Sequence, residues 1–352
     1  MKKLIVTTLK IGISLAIVAW LAWDAAGTTN ESGENVFQQL VHQPKNWGLL
    51  AAAWVFCASA VTLTLIRWWY LVRALDLPFR LTEGLRIGFL GYLFNLAPMG
   101  IVGGDVLKAV MLAREYDARQ RVRAVAAVVI DRLIGLYTLF VVATAAILLT
   151  GLHRLRIAEI QVICNATFLL TALGAAAIAV LMIPGFTDGR GTRALGRLPK
   201  IGQPIEHLIE AVRMYRRQPL VLTVSVLMSV GVHSLFATGV YLIARGLFGE
   251  VLSLRTHFVV SPLSASTGVL PLPVGPFELV LESLYGTIAA YAPEPGVIVA
   301  AGTGLVVALG YRLICVLIAA IGVCYYLSGR REIAEAMQQV EEEQPLQGLS
   351  VH

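Results

Sequence analysis

Apolar residues along this chain gather in long runs separated by short connections. The runs Leu4 to Trp23, Trp47 to Ile66, Ala124 to Leu149, Ile160 to Ile183, Leu220 to Leu247 and Val297 to Leu327 each reach the ~20 residues a helix needs to cross the hydrocarbon of a bilayer. They predict six spanning helices. Two further apolar stretches, Leu85 to Val102 and Phe258 to Val274, are broken by Pro and Gly where a spanning helix should be most regular.

Composition places the pattern in a membrane. Of the 352 residues 57% are hydrophobic and 14% charged, with mean hydropathy +0.74, against roughly 45–50% and 25% in soluble domains. The chain therefore reads as an all-α, polytopic membrane protein. Its first run follows Lys2 and Lys3 as a secretory leader would, but the apolar core is long and Trp23-Asp24-Ala25-Ala26 is a poor cleavage site. An uncleaved anchor is expected.

Charge distribution gives the orientation. With the N-terminus in the cytoplasm, 20 of the 28 basic residues fall on that side: Lys2 and Lys3, those from Arg67 to Arg86 and from Lys108 to Arg123, the seven from Arg190 to Arg217, and Arg330 with Arg331. The opposite face keeps Lys45, Arg154, Arg156, Arg245 and Arg255, while Lys10, Arg132 and Arg312 lie within spans. This strong positive-inside bias predicts a plasma (inner) membrane protein with both termini cytoplasmic. The net charge of +6 then serves topology and does not suggest nucleic acid.

Residues 67–86 and 108–123 are both basic, so the broken segment between them should enter and leave by the cytoplasmic side, as a re-entrant hairpin. The second broken segment lies between Glu250 and a stretch with Glu282 and Glu294 that has no Lys or Arg, so it should dip in from outside. Irregular backbone at membrane depth is tolerated only when buried in protein or lining a wet cavity. Two opposed hairpins thus predict a shared central site.

An internal repeat is expected as well. Aligning Pro98 with Pro271 sets Asp105 opposite Glu278, each seven residues on, and loosely matches Gly100, Gly103 and Gly104 to Pro273, Gly275 and Pro276. Downstream, Asp131-Arg132-Leu133-Ile134 answers Tyr311-Arg312-Leu313-Ile314, with the arginines 27 and 34 residues beyond the two acids. Three spans separate the hairpins, so the second copy is inverted, an arrangement common in transporters. The expected organisation is one transmembrane domain over 1–327, with repeat halves near 80–150 and 250–327, a basic cytoplasmic loop at 184–219, and an acidic, disordered tail at 328–352.

A charged side chain at the centre of a span costs about 2.5–3.5 kcal/mol on insertion scales, so such residues face partners or cavities. Asp105, Asp131, Arg132, Glu278 and Arg312 are the candidate headgroup-binding or translocation residues, carried by the hairpin backbones at Pro98, Gly100, Gly103, Gly104, Pro271, Pro273 and Gly275. In the functional reading Arg132 and Arg312 form a buried basic pocket for a lipid phosphate, which suits the planar guanidinium fork, and the acids orient them or bind a cationic group. The structural alternatives are that Asp105 and Glu278 cap helix N-termini, that Asp131 pairs with a nearby arginine, and that Arg132 snorkels. Tyr92, Asn95, Ser264, Ser266 and Thr267 add polar groups along the hairpins. Arg67-Trp68-Trp69-Tyr70 reads as an interfacial aromatic belt with a basic anchor.

Other chemistry is not indicated. Four cysteines lie within apolar runs without C-x-x-C, and the six histidines are scattered, which suggests neither disulfides nor a metal site. No H-E-x-x-H, G-x-S-x-G or phosphate-loop motif occurs, and the longest hydrophilic connection, 184–219, is too short for a catalytic domain. No cofactor and no enzyme activity are expected.

The series Leu96-Ala97-Pro98 to Gly103-Gly104-Asp105, then Asp131-Arg132, then Leu270-Pro271-Leu272-Pro273-Val274-Gly275 to Glu278 resembles the transmembrane, flippase-like domain of lysylphosphatidylglycerol synthases, over about residues 5–327. That family includes the membrane half of the bacterial multiple peptide resistance factor, which moves aminoacylated phosphatidylglycerol between leaflets. The resemblance is to a stand-alone member without the aminoacyl-transferase half, so it implies lipid translocation and not lipid synthesis. Two departures stand out: the family commonly has Glu-Arg where Asp131-Arg132 stands, and a more glycine-rich turn where Pro276-Phe277 stands. The expected partner is a phospholipid or polyprenyl-linked lipid. The alternatives are a lipid-linked transferase using the acids as bases, and an anchor for a separately encoded synthase or transferase.

Overall fold

A computed structural model of the protein describes residues 2–29, 33–96, 103–114, 116–183, 210–270, 272, 274–295 and 297–330. Pro98, Gly100, Pro271 and Pro273 lie outside these residues, as do most of the basic loop at 184–219 and the tail from 331 onward. Among the described residues every regular element is a helix.

In chain order the helices are α1 (Lys2–Gly27), α2 (Val36–His42), α3 (Trp47–Ala74), α4 (Leu81–Leu96), α5 (Gly104–Ala113), α6 (Ala118–Thr150), α7 (Ala158–Met182), α8 (Pro219–Phe248), α9 (Leu254–Ser266), α10 (Pro276–Tyr291) and α11 (Thr303–Ser328). Six of them, α1, α3, α6, α7, α8 and α11, are long and apolar enough to cross a membrane, in agreement with the six runs read from the sequence. The two broken stretches become short helices instead, α4 with α5 and α9 with α10. A further short helix, α2, carries no apolar run. It forms because Asn35 accepts from the amides of Phe37 and Gln38 while the Gln38 side chain accepts from the Asn35 amide, a reciprocal cap.

Two boundaries differ from the sequence reading. α3 continues past Ile66 to Ala74, which carries Arg67 to Tyr70 into the helix. α11 begins only at Thr303, because Gly302, at φ +88°, takes a left-handed turn that suits glycine; Val297 to Ala300 precede it without helical structure. Of the four cysteines, Cys57, Cys164 and Cys315 are buried and Cys324 is exposed.

Residue contacts divide the chain into two compact units, the first comprising 1–63, 136–174 and 229–315, the second 64–135, 175–228 and 316–352. In the second unit α5 packs against α4 with the backbones in close approach. A Cβ added to Gly104 would stand 1.7 Å from the Gly91 carbonyl oxygen, so this crossing admits no side chain there. Trp68, Leu71, Leu90, Leu107 and Leu112 form the buried core around it. The last carbonyls of α3, which have no partner within their own helix, are met from far along the chain. The Tyr215 hydroxyl donates to the Leu71 carbonyl at 2.7 Å, and the Gln218 amide to that of Ala74 at 2.7 Å.

In the first unit α10 packs on α9 and on α1. Gly275, at φ +108°, sits against Ile17, and Pro276 starts α10, where its missing N–H costs no helical bond. The starts of α9 and α11 are closed by carboxylates. Glu294 accepts from the Ser253 amide at 2.7 Å and from the Ser253 hydroxyl at 2.9 Å, and Glu282 accepts from the amides of Gly302 at 2.6 Å and Leu305 at 2.8 Å. Such charge-assisted bonds at positive helix ends are favourable.

Candidate functional site

In the second unit the first turn of α5 carries Asp105. Its helix is capped from α4, not by its own side chain: the Asn95 Oδ1 accepts from the Gly104 amide at 2.8 Å, while Gly103 at the cap position has no side chain to offer. Asp105 is thereby left to other partners. Arg132 of α6 places both Nε and Nη2 on Asp105 Oδ2, and Lys108, one turn on along α5, brings Nζ to 3.6 Å from Oδ1. The capping reading of Asp105 thus gives way to an ion pair.

Asp131 stands next to Arg132 but pairs elsewhere. Arg67 Nε donates to Asp131 Oδ1 at 2.7 Å and Arg67 Nη2 to the Asp131 carbonyl at 3.2 Å. Both side chains are buried, 4% and 8% exposed. This matches the structural reading of Asp131, and it overturns the interfacial reading of Arg67-Trp68: both residues are buried, held inside by α3's extension and by the Asp131 carboxylate.

The second-unit charges form a graded series. Arg67 and Asp131 are deep, Lys108 is 8% exposed with its ammonium 5.5 Å over the Trp68 ring, Asp105 is 28% exposed and Arg132 58%. An ammonium over an indole face is an attractive contact. Arg132 is the accessible end of the series, on a helix apolar enough to span.

In the first unit Glu278 lies in the first turn of α10, fully buried. Its Oε2 accepts from the Gly275 amide at 2.7 Å, and its Oε1 from Arg312 Nε at 3.1 Å and Nη2 at 2.7 Å. Glu278 thus serves at once as a cap and as the partner of Arg312. Arg312 is 24% exposed.

Of the predicted residues, then, Asp105 joins Arg132 in one unit and Glu278 joins Arg312 in the other, while Asp131 belongs with Arg67. The polar residues of α9 satisfy local backbone: Ser264, Ser266 and Thr267 donate to the carbonyls of Val260, Leu263 and Ser264.

Residues that sequence reasoning missed include Lys108, whose signal was its spacing three residues beyond Asp105 on a helix. The buried pair His257 and Tyr285 had no sequence signal. With the proton on Nδ1, donated to the Ser253 carbonyl at 2.9 Å, His257 Nε2 accepts from the Tyr285 hydroxyl. Among the described residues no group of three metal-ligating side chains converges.

No protein of curated function matches the chain. Residues 8–322, however, match the family model described as the lysylphosphatidylglycerol synthase TM region, and six helices of spanning length lie within or across that range. The chain is a multi-pass membrane protein that belongs to the lysylphosphatidylglycerol synthase transmembrane-region family.

Proposed function

We propose that this protein is a non-enzymatic lipid translocase that binds the phosphate of an anionic or lipid-linked headgroup at its acid–arginine pairs and assists movement between leaflets. The observation that carries the reading is the same arrangement in both halves: a short helix begins with an acid, and an arginine of a later spanning helix sets Nε and Nη2 on one oxygen of that acid. This correspondence supports the inverted repeat, with α4–α5 and α9–α10 as re-entrant hairpins from opposite faces. Membership in a family named for a lipid synthase supports a lipid as the cargo. The basic flanks support an inner-membrane protein with cytoplasmic termini.

Arginine pairs with phosphate bidentately, so an arriving headgroup competes for the guanidinium that the acid holds ready. The acid keeps the arginine oriented and limits the cost of a charged group in an apolar surrounding. With no nucleotide motif, a gradient or the lipid's own concentration difference supplies the driving force.

The test is leaflet translocation of headgroup-labelled lipids in reconstituted vesicles, comparing the natural protein with Arg132→Ala, Arg312→Ala and Asp105→Asn. Faster exchange with the natural protein and slower exchange with the variants is expected. Equal rates in protein-free and protein-containing vesicles across anionic, zwitterionic and polyprenyl lipids would sink the proposal.

A further inference from the structure

We infer that His257, Tyr285 and Ser261 form a proton-binding site, and that a proton gradient drives the translocase. The inference rests on the reading above that the protein moves lipid, and it names the gradient that reading left open.

Hydrogen-bond chemistry makes the site two-state. His257 of α9 and Tyr285 of α10 are buried. With Nδ1–H donated to the Ser253 carbonyl at 2.9 Å, Nε2 can only accept, and the Tyr285 hydroxyl donates to it. A proton arriving from solution bonds to Nε2 and reverses this contact. The new Nε2–H donates to the Tyr285 oxygen, and the tyrosine, which keeps its own hydrogen, needs another acceptor. Ser261 stands one turn beyond His257 on the same face of α9. It is fully buried, and among the described residues its hydroxyl has no hydrogen-bond partner. An unpartnered buried hydroxyl is costly, and the neutral state makes no use of this one. In the protonated state it is the acceptor that the tyrosine lacks.

The surroundings also accept a positive charge. Glu294 takes the Ser253 amide, the Ser253 hydroxyl and the Thr256 hydroxyl, all neutral donors, so among the described residues no cation balances it. Ser253 links this carboxylate to the imidazole, because its carbonyl accepts from His257. The other ionisable groups facing His257 are Tyr285 and, from α8, Tyr241, whose rings meet the imidazole in T-shaped contacts at 5.6 and 5.3 Å. α6 and α7 add apolar residues and the Cys164 thiol to the packing around α9. Arg255 is exposed, and Glu282, one turn before Tyr285, is committed to the start of α11. Coupling follows from the helix that carries the tyrosine. α10 holds Tyr285 two turns beyond Glu278, so the reversed contact acts on the helix whose first turn engages Arg312.

The first measurement follows the imidazole nitrogens of the full-length, histidine-labelled protein in neutral detergent by NMR, from about pH 8 to about pH 4, a range chosen to bracket histidine. The His257 signal is assigned by its loss in His257→Gln or its shift in Tyr285→Phe. It should show one protonated nitrogen at the alkaline end and two at the acid end. Ser261→Ala should lose about tenfold in proton affinity, a midpoint about one pH unit more acid, the scale of one hydrogen bond. Glu294→Gln should shift it in the same direction, since the carboxylate favours the charged ring. Unfolding of Ser261→Ala at the alkaline end should be unchanged, because the neutral state leaves that hydroxyl unused. The second measurement is leaflet exchange in vesicles with and without an imposed pH difference, which should speed exchange by the natural protein and lose its effect in His257→Gln. A His257 ring that never gains the second proton, a midpoint unmoved in Ser261→Ala, or exchange indifferent to the pH difference overturns the inference. Absence of exchange under every condition defeats the translocase reading alone, and the titration then still decides the proton site.

Discussion

The Glu278 carboxylate divides its two oxygens between Arg312, at 2.7 Å from Oε1, and the amide of Gly275, at 2.7 Å from Oε2. One side chain therefore closes the start of α10 and fixes the arginine of α11. Glu278→Gln keeps an oxygen for the Gly275 amide but leaves Arg312 without a counter-charge. Breaking a buried pair on one side costs about 3–5 kcal/mol. Thermal unfolding in detergent should show that loss, and the double variant Glu278→Gln with Arg312→Met should recover most of it.

The Arg67–Asp131 pair is predicted to be architectural. Asp131→Asn alone should destabilise by about 3–5 kcal/mol, because Arg67 is then buried and unpaired, whereas Arg67→Met combined with Asp131→Leu should restore stability, as apolar replacement of buried pairs often does. Unfolding midpoints of the three variants decide this. If the double variant folds but no longer exchanges lipid, Asp131 or Arg67 has a role in transport that its packing does not reveal.

Gly104→Ala should disrupt the α4–α5 crossing. The added carbon would meet a backbone oxygen, which cannot swing aside as a side chain would, so the cost should exceed the about 1–3 kcal/mol of ordinary overpacking. Asn95→Ala, which removes only the cap on the Gly104 amide, should cost about 1 kcal/mol. The order of the two midpoints, with Gly104→Ala the lower, checks the geometry.

Tyr285→Phe removes the hydroxyl that His257 Nε2 accepts. The nitrogen is then buried without a partner, at about 1–3 kcal/mol, while replacing both residues together by Phe should cost less than that single change. A double-mutant cycle on unfolding measures the coupling.

Much of the fold was legible without coordinates because the rule that creates it is local. A helix of sufficient apolar length satisfies its own backbone in lipid, so the six spans follow from run length alone, and Pro and Gly marked where regular helix gives way to the short pairs α4–α5 and α9–α10. Helix ends were less legible. α3 overran its apolar run because Tyr215 and Gln218, far along the chain, meet its last carbonyls, and no local signal encodes that.

The sequence by itself determined which residues were costly in a membrane, namely the five charges Asp105, Asp131, Arg132, Glu278 and Arg312, and that each needed a partner or a cavity. Only the tertiary structure decided the pairing. Asp131 turned to Arg67 and its neighbour Arg132 to Asp105, because adjacent residues on a helix point about 100° apart and meet different elements. Electrostatic cost is a property of a residue and its span, while its compensation is a property of distance, and distances across 27, 34 and 64 residues are set by packing.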